Sequence, residues 1–272
     1  FKFYLAEMIS KKSKLIIIEH GGCLNYKFDS FFDHEDKICY KKVIWDKSSN
    51  KSKIQLPVVQ LLAYKNIVNK KPKKILILFC EILKFPMKIQ CLPYNIHRSQ
   101  EIQNIENILN KISTKYHSDI NFRYSSIMNE ENDFIINYLK NRFPKINFYN
   151  FYTAPPLQED LSRSRIVICT NPETTLAQCI ISKRPTLLYL DKNHYKFCTK
   201  SNKMLKLLKK EKIYFDNPNS LGNFINKISI NSINNSFIFQ KNKKILQIFE
   251  TNFFNIDKDW LNKWKNFLIN LC

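Results

Sequence analysis

From Lys74 to Phe215, short apolar runs alternate with longer segments whose apolar residues recur every three or four positions. The runs are Lys74–Phe79 (KILILF), Ile120–Arg123, Ile146–Phe151, Ile166–Cys169, Thr186–Leu190 and Ile213–Phe215. A run of four or so β-favouring residues without alternation predicts a strand covered on both faces, as in a parallel sheet. Between the runs, Ser99–Ile112 sets Ile102, Ile105, Ile108, Leu109 and Ile112 on one helical face. Further helices are predicted over Glu130–Arg142, Gln158–Ser164, the segment from Pro172, His194–Lys210 with a loop lead-in, Ser220–Ile228 and Phe237–Phe249. Strand and helix in regular alternation predict the α/β class, with a doubly wound parallel sheet.

Before Lys74 the pattern is sparser. Phe1–Ser13 reads as the tail of a helix, Leu15–Ile18 as a short buried strand and Val43–Trp45 as another. Asp46–Lys74 is rich in Lys, Ser and Asn, carries Pro57 and Pro72, and suits an interdomain linker around a short helix. The expected division is therefore 1–71, the end of an N-terminal α/β domain with its linker, and 72–272, a second domain. A start at Phe1, inside a helix-like segment, leads us to expect an upstream portion. At the other end, Trp260, Leu261, Trp264, Phe267, Leu268 and Leu271 form an apolar stripe edged by Lys258, Lys263 and Lys265. The stripe suits peripheral contact with an anionic surface such as the inner membrane, or docking on the protein's own core; docking is expected.

A net charge of +21 over 272 residues first suggests nucleic acid or a membrane. However, only six of the 44 basic residues are Arg, the 38 Lys are spread along the whole chain, and Ile, Asn, Phe and Tyr are abundant. This is the imprint of an AT-rich genome, and a solvated Lys surface is expected, with no nucleic acid as partner. A Lys-rich nucleic-acid-binding module is the competing reading, and it predicts steep salt dependence. The eight cysteines form no Cys-x-x-Cys pair and no zinc-type spacing, which fits reduced thiols in the cytoplasm. No apolar run approaches the ~20 residues of a membrane span. Asp29, Asp33, His34, Glu35 and Asp36 lie almost in a row and are read as an acidic loop without a metal.

Candidate chemistry gathers in two places. In the unit from Pro156 to Asp191, Asn171 offers an N-cap, Pro172 fits the first helical position and Glu173 favours the positive helix end. The turn carries Thr170, Asn171, Thr174 and Thr175 beside free amides, an arrangement that holds phosphate. The same residues also serve simply as a good helix start. Upstream, Gly21 and Gly22 are two of only three glycines in the chain. They permit φ > 0 and close backbone approach at the end of a strand, where α/β proteins bind ligands. His20 beside them suits general-base or phosphate-contact work, or is incidental to a tight turn. Arg98 at a helix start and Arg123 at a strand end offer guanidinium forks for phosphate or carboxylate; for Arg123, pairing with a surface acid is equally open.

Taken together, Ser162-Arg163, Thr174-Thr175, Pro185-Thr186 and His20-Gly21-Gly22 resemble two-domain GT-B glycosyltransferases, more narrowly a His-Gly-Gly family of bacterial surface-carbohydrate transferases. The resemblance implies a Rossmann-like C-terminal domain that binds a nucleotide-sugar donor, with a glycan or glycoconjugate as acceptor. It implies metal-independent transfer of a hexosyl or a sialyl- or Kdo-like sugar, with no cofactor. His20 inherits the role of base. Gly21, Gly22, Arg98, Arg123, Thr170, Asn171, Thr174, Thr175 and Gln178 inherit donor contacts. Gln178 stands where many relatives carry Glu, and Glu19 where Gln is commoner. Trp45 matches an aromatic position in the family's motif and is expected to pack. A nucleotide-sugar epimerase of the same architecture is the alternative enzyme; it would expect further cleft carboxylates and histidines.

Overall fold

The structure, a computed structural model, describes residues 2–22, 24, 35–47, 50–65, 67, 72–80, 95–125, 134–228 and 237–271. Its larger part is a six-stranded parallel sheet of β4 (Lys74–Cys80), β5 (Ile120–Ser125), β6 (Asn147–Asn150), β7 (Ser164–Cys169), β8 (Thr186–Tyr189) and β9 (Tyr214–Phe215). Their spatial order is β6-β5-β4-β7-β8-β9. The chain winds outward from β4 in one direction and from β7 in the other, so the fold is doubly wound. The order reverses between β4 and β7, whose central register pairs Leu76 with Val167 and Ile77 with Ile168. Ligands bind outside the carboxyl ends of the strands at such a reversal.

The unbroken apolar runs form these strands because helices cover both faces. On one face Ile75, Ile77, Phe122, Ile166, Ile168 and Leu187 pack against α3 (Arg98–Lys111), α4 (Phe134–Arg142) and α8 (Pro218–Lys227). The contact of α3 with α8 requires Gly222, where a Cβ would lie 2.4 Å from Lys111 Cβ and 3.1 Å from the Ile108 carbonyl oxygen. On the other face Cys169, Leu188 and Leu190 pack against α6 (Thr174–Ile181), α7 (Thr199–Lys210) and α9 (Phe237–Phe253), while α5 (Leu157–Arg163) covers β4 and β7. Of the helix expected over Glu130–Arg142, residues 130–133 lie outside the described residues, as does the loop expected at Asn231–Asn235.

The N-terminal segment contributes α1 (Lys2–Ser10) and a smaller parallel sheet, β1 (Ile16–Ile18), β2 (Lys41–Ile44) and β3 (Lys53–Gln55), in that spatial order, followed by the single turn α2 (Val59–Leu62). β3 was not expected, since Lys53-Ile54-Gln55 is short and polar; its Ile54 pairs with Val43 of β2. This sheet is packed onto the larger part: Leu24, Trp45, Val58 and Leu61 share a core with Leu176, Ala177 and Ile180 of α6 and with Phe253. Trp45 therefore packs, as expected.

The chain's end also returns to its start. The Val58 amide donates to the Asn255 carbonyl at 2.9 Å, and Trp264 Nε1 to the Pro57 carbonyl at 3.0 Å. Lys200 Nζ meets Asp46 Oδ2 at 2.8 Å. The last helix, α10 (Trp260–Ile269), thus meets the start of the chain through the Trp264 indole, yet none of its residues is buried, so the apolar stripe is covered far less than docking on a core would require. No described helix is long and apolar enough to cross a membrane.

Candidate functional site

At the reversal, β7 runs out into Thr170. Its amide and its hydroxyl both donate to the Leu78 carbonyl, at 3.1 and 3.0 Å, so this hydroxyl ties β7 to β4 and is buried. The helix that follows starts later than expected. Asn171 does not cap it and Pro172 is not its first residue: Asn171 Oδ1 accepts from the Glu173 amide at 2.8 Å, closing a local turn, and α6 begins at Thr174. Glu173 occupies the N-cap position with no side-chain cap bond. Among the described residues, the N-cap side chain therefore leaves the positive end of α6 uncapped.

The Gly-Gly turn stands against this helix start. The Gly22 amide donates to Thr174 Oγ1 at 3.3 Å, and the Leu24 amide donates to the Pro172 carbonyl at 3.1 Å. A Cβ on Gly21 would fall 2.4 Å from Thr174 Oγ1, and Gly22 holds φ at +148°, so both glycines are used as glycines. His20 is exposed at this seam, its carbonyl held by Gln60 Nε2 at 3.0 Å. The two motifs read separately from the sequence thus meet in one place. Thr175 and Gln178 are half-buried on the first turns of the same helix.

Arg123, at the end of β5, is held by a buried partner. Its guanidinium donates to Asp160 Oδ2 at 2.6 Å and to the Pro155 carbonyl at 2.7 Å, and lies 5.1 Å from the centre of the Phe151 ring. Both side chains are about 5 % exposed, so the acid opposite Arg123 is a buried one. Removing one member of such a pair costs about 3–5 kcal/mol. Arg98 opens α3 and is half-buried. Of the acidic row, Asp29, Asp33 and His34 lie outside the described residues, while Glu35 and Asp36 pair with Lys42 and Lys53. Among the described residues no group of three metal-ligating side chains occurs.

Two polar arrangements were not expected from the sequence. Glu19 follows β1 directly, and its Oε2 accepts from the Trp45 amide at 2.6 Å. Burial, with Asp46 adding, raises its pKa to about 7 against the lowering effect of that bond and of Lys42 and Lys53. A carboxylate directly after a predicted strand was the available signal, although that strand, β1, is partly exposed and not buried as expected, because it lies at the edge of the small sheet. Beyond β8, buried His194 bonds Glu101 through Nδ1, faces Asp191 Oδ2 at 3.8 Å and stacks on His97 with centroids 4.1 Å apart. Asn104 donates to the same Asp191 oxygen at 3.2 Å. The signal there was Asp-x-x-His after a predicted strand.

A family model described as LIC12162 family transferase matches residues 1–268. No curated protein matches the chain. Among solved structures, a point mutant of S. aureus TarM in complex with Fondaparinux, alpha-GlcNAc-glycerol and UDP is similar over 94% of this chain and 51% of its own, at 12% identity and a TM-score of 0.50. A protein assigned as a UDP-N-acetylglucosamine 2-epimerase from Listeria monocytogenes is similar over 94% of this chain and 66% of its own, at 7% identity and a TM-score of 0.53. The chain thus spans half to two thirds of the length of these proteins, and what it shares with them is the GT-B arrangement of parallel α/β layers.

Proposed function

Because the chain belongs to the LIC12162 family of transferases, we propose that it acts in the transfer of a sugar from a nucleotide-activated donor to a cell-surface glycan or glycoconjugate. The observation that carries this reading is the seam itself. A Gly-Gly turn at the carboxyl end of one parallel sheet is held by Thr174 at 3.3 Å, at the uncapped helix start that leaves the other. A helix start without a cap suits a diphosphate, whose charge grows as the sugar departs. The amides and hydroxyls of Thr174 and Thr175 would receive that charge, with Asn171, Gly21 and Gly22 around it and Gln178 one turn along. His20, exposed beside them, would take the acceptor's proton. Neutralisation by the helix start requires no bound metal, and the dispersed lysines argue against nucleic acid as a partner. The sugar is taken to be a hexosyl or a sialyl- or Kdo-like unit, added in a bacterial cytoplasm.

The test is a thermal-shift titration with a panel of nucleoside mono- and diphosphates and their sugar esters, on the native chain and on Thr174→Val/Thr175→Val. At least one nucleotide should stabilise the native protein, and the double variant should need at least roughly tenfold more of it, the effect of losing a single hydrogen bond to a charged group at the low end of about 1.5–3 kcal/mol. A panel that shifts nothing overturns the reading. Conversion of a nucleotide-sugar to its epimer without an acceptor would replace transfer by epimerisation.

A further inference from the structure

We propose that Glu19 acts as a proton-dependent gate on donor binding, so that the seam takes a nucleotide-sugar with its carboxyl protonated and disfavours it with the carboxylate ionised. This rests on the seam being the donor-phosphate site.

The geometry begins with how firmly Glu19 is held. Its amide donates to the Val43 carbonyl at 2.9 Å, its carbonyl accepts from Trp45 Nε1 at 3.3 Å, and its Oε2 accepts from the Trp45 amide at 2.6 Å. The backbone is thus fixed on both sides of the residue, and the half-buried side chain is tethered through one oxygen to the Trp45 amide. The other oxygen, Oε1, lies 3.7 Å from where a Cβ on Gly22 would be, and the Gly22 amide is the group that touches Thr174. The carboxylate thus lies against the same glycine whose amide touches the start of α6, so its charge is felt at the seam where a diphosphate would lie.

The surrounding charges do not cancel it. Lys42 is shared between Glu35 at 3.0 Å and Asp36 at 3.1 Å, and Lys53 meets Asp36 at 2.6 Å. Asp46, at the end of β2, repels Glu19, and is itself paired with Lys200. From α2 the neighbour is the neutral Gln60, and from α6 the neutral Thr174, with Glu173 exposed beside it. Among the described residues of the turn, His20 is the one other titratable group. Burial leads the causes that place the Glu19 pKa at about 7, so the group changes charge across the neutral range. A bound diphosphate would raise it further, and by linkage binding must then take up a proton. The sign follows: affinity is full where Glu19 is already protonated, below about pH 7, and falls as pH rises beyond it.

The experiment measures binding of a nucleotide-sugar, whose diesterified diphosphate does not titrate near neutrality, by calorimetry between pH 6 and 8.5. Two buffers of different ionisation enthalpy report proton uptake. The native chain should bind about tenfold more weakly at pH 8.5 than at pH 6 and should take up a proton on binding above pH 7. Glu19→Gln keeps an acceptor for the Trp45 amide, removes the charge, and should bind at pH 8.5 as tightly as the native chain does at pH 6, with no proton uptake. His20→Asn should keep the slope. A flat native profile, or a slope that survives in Glu19→Gln, overturns the gate alone. A slope lost in His20→Asn assigns the proton to His20 and also overturns it. Absence of binding at every pH overturns both the gate and the donor-site reading beneath it.

Discussion

Two helices in this chain are announced by the same dipeptide, Asn-Pro, and they begin differently. At Asn217-Pro218 the pair is a working cap: Asn217 Oδ1 accepts from the Ser220 amide at 3.0 Å and from its hydroxyl at 3.2 Å, and Pro218 is the first helical residue. At Asn171-Pro172 the side chain reaches only the Glu173 amide, and the helix is postponed to Thr174. What differs is the neighbourhood. The Pro172 carbonyl is taken by the Leu24 amide and Thr174 Oγ1 by the Gly22 amide, both from the segment before the large sheet. A cap completes a helix start and ends its chemistry. The start without one, pressed against a second element, keeps its polarity for something else. Identical residues therefore give a structural start in one place and a candidate ligand site in the other.

The sharpest way to break this comparison is to spoil the contact that separates the two starts. Gly21→Ala puts a Cβ 2.4 Å from Thr174 Oγ1. We expect it to lower stability by about 1–3 kcal/mol in urea unfolding, as overpacking does. Adding Thr174→Ala should recover most of that, because the next nearest atom, Thr174 Cβ, is 3.7 Å away. Full stability of the single variant would mean that the turn does not press on the helix. Next in size is Asn217→Ala, expected to cost about 1 kcal/mol with nucleotide affinity unchanged. The smallest effect belongs to Asn171→Ala, expected to cost no more than about 0.5 kcal/mol, the low end for one hydrogen bond, while weakening nucleotide binding. A loss equal to that of Asn217→Ala would make Asn171 a cap after all.

The architecture was legible because the apolar runs are unusually plain. KILILF and Ile166–Cys169 have no alternation, and they became the two central strands. The Gly-Gly pair was legible because glycine is so rare in this chain that two adjacent ones imply a backbone need. What the pattern could not show was pairing over distance. Arg123 could be read as a fork for phosphate, but Asp160, its partner, lay 37 residues away in a segment that looked merely polar. The start of α6 misled for the same reason: Leu24, whose amide takes the Pro172 carbonyl, is far away in sequence. Glu19 was noticed as an odd residue at its position, yet its burial depends on Trp45 folding over it from the next strand. Local pattern specifies elements; which polar atoms remain available is decided by segments the pattern does not connect.

The register of the large sheet has a further consequence, for folding. Its other neighbouring strands are joined by local crossovers, whereas pairing Leu76 of β4 with Val167 of β7 closes a loop of about ninety residues. That closure must be met before the central contacts can reward it, so the two halves, β4 to β6 and β7 to β9, can each gain order earlier than the joint between them. The last joint to form is then the one at whose mouth the crevice lies, and a chain stalled short of it would present the bare edges of β4 and β7, with their apolar runs ILILF and IVIC, to any other unfinished copy.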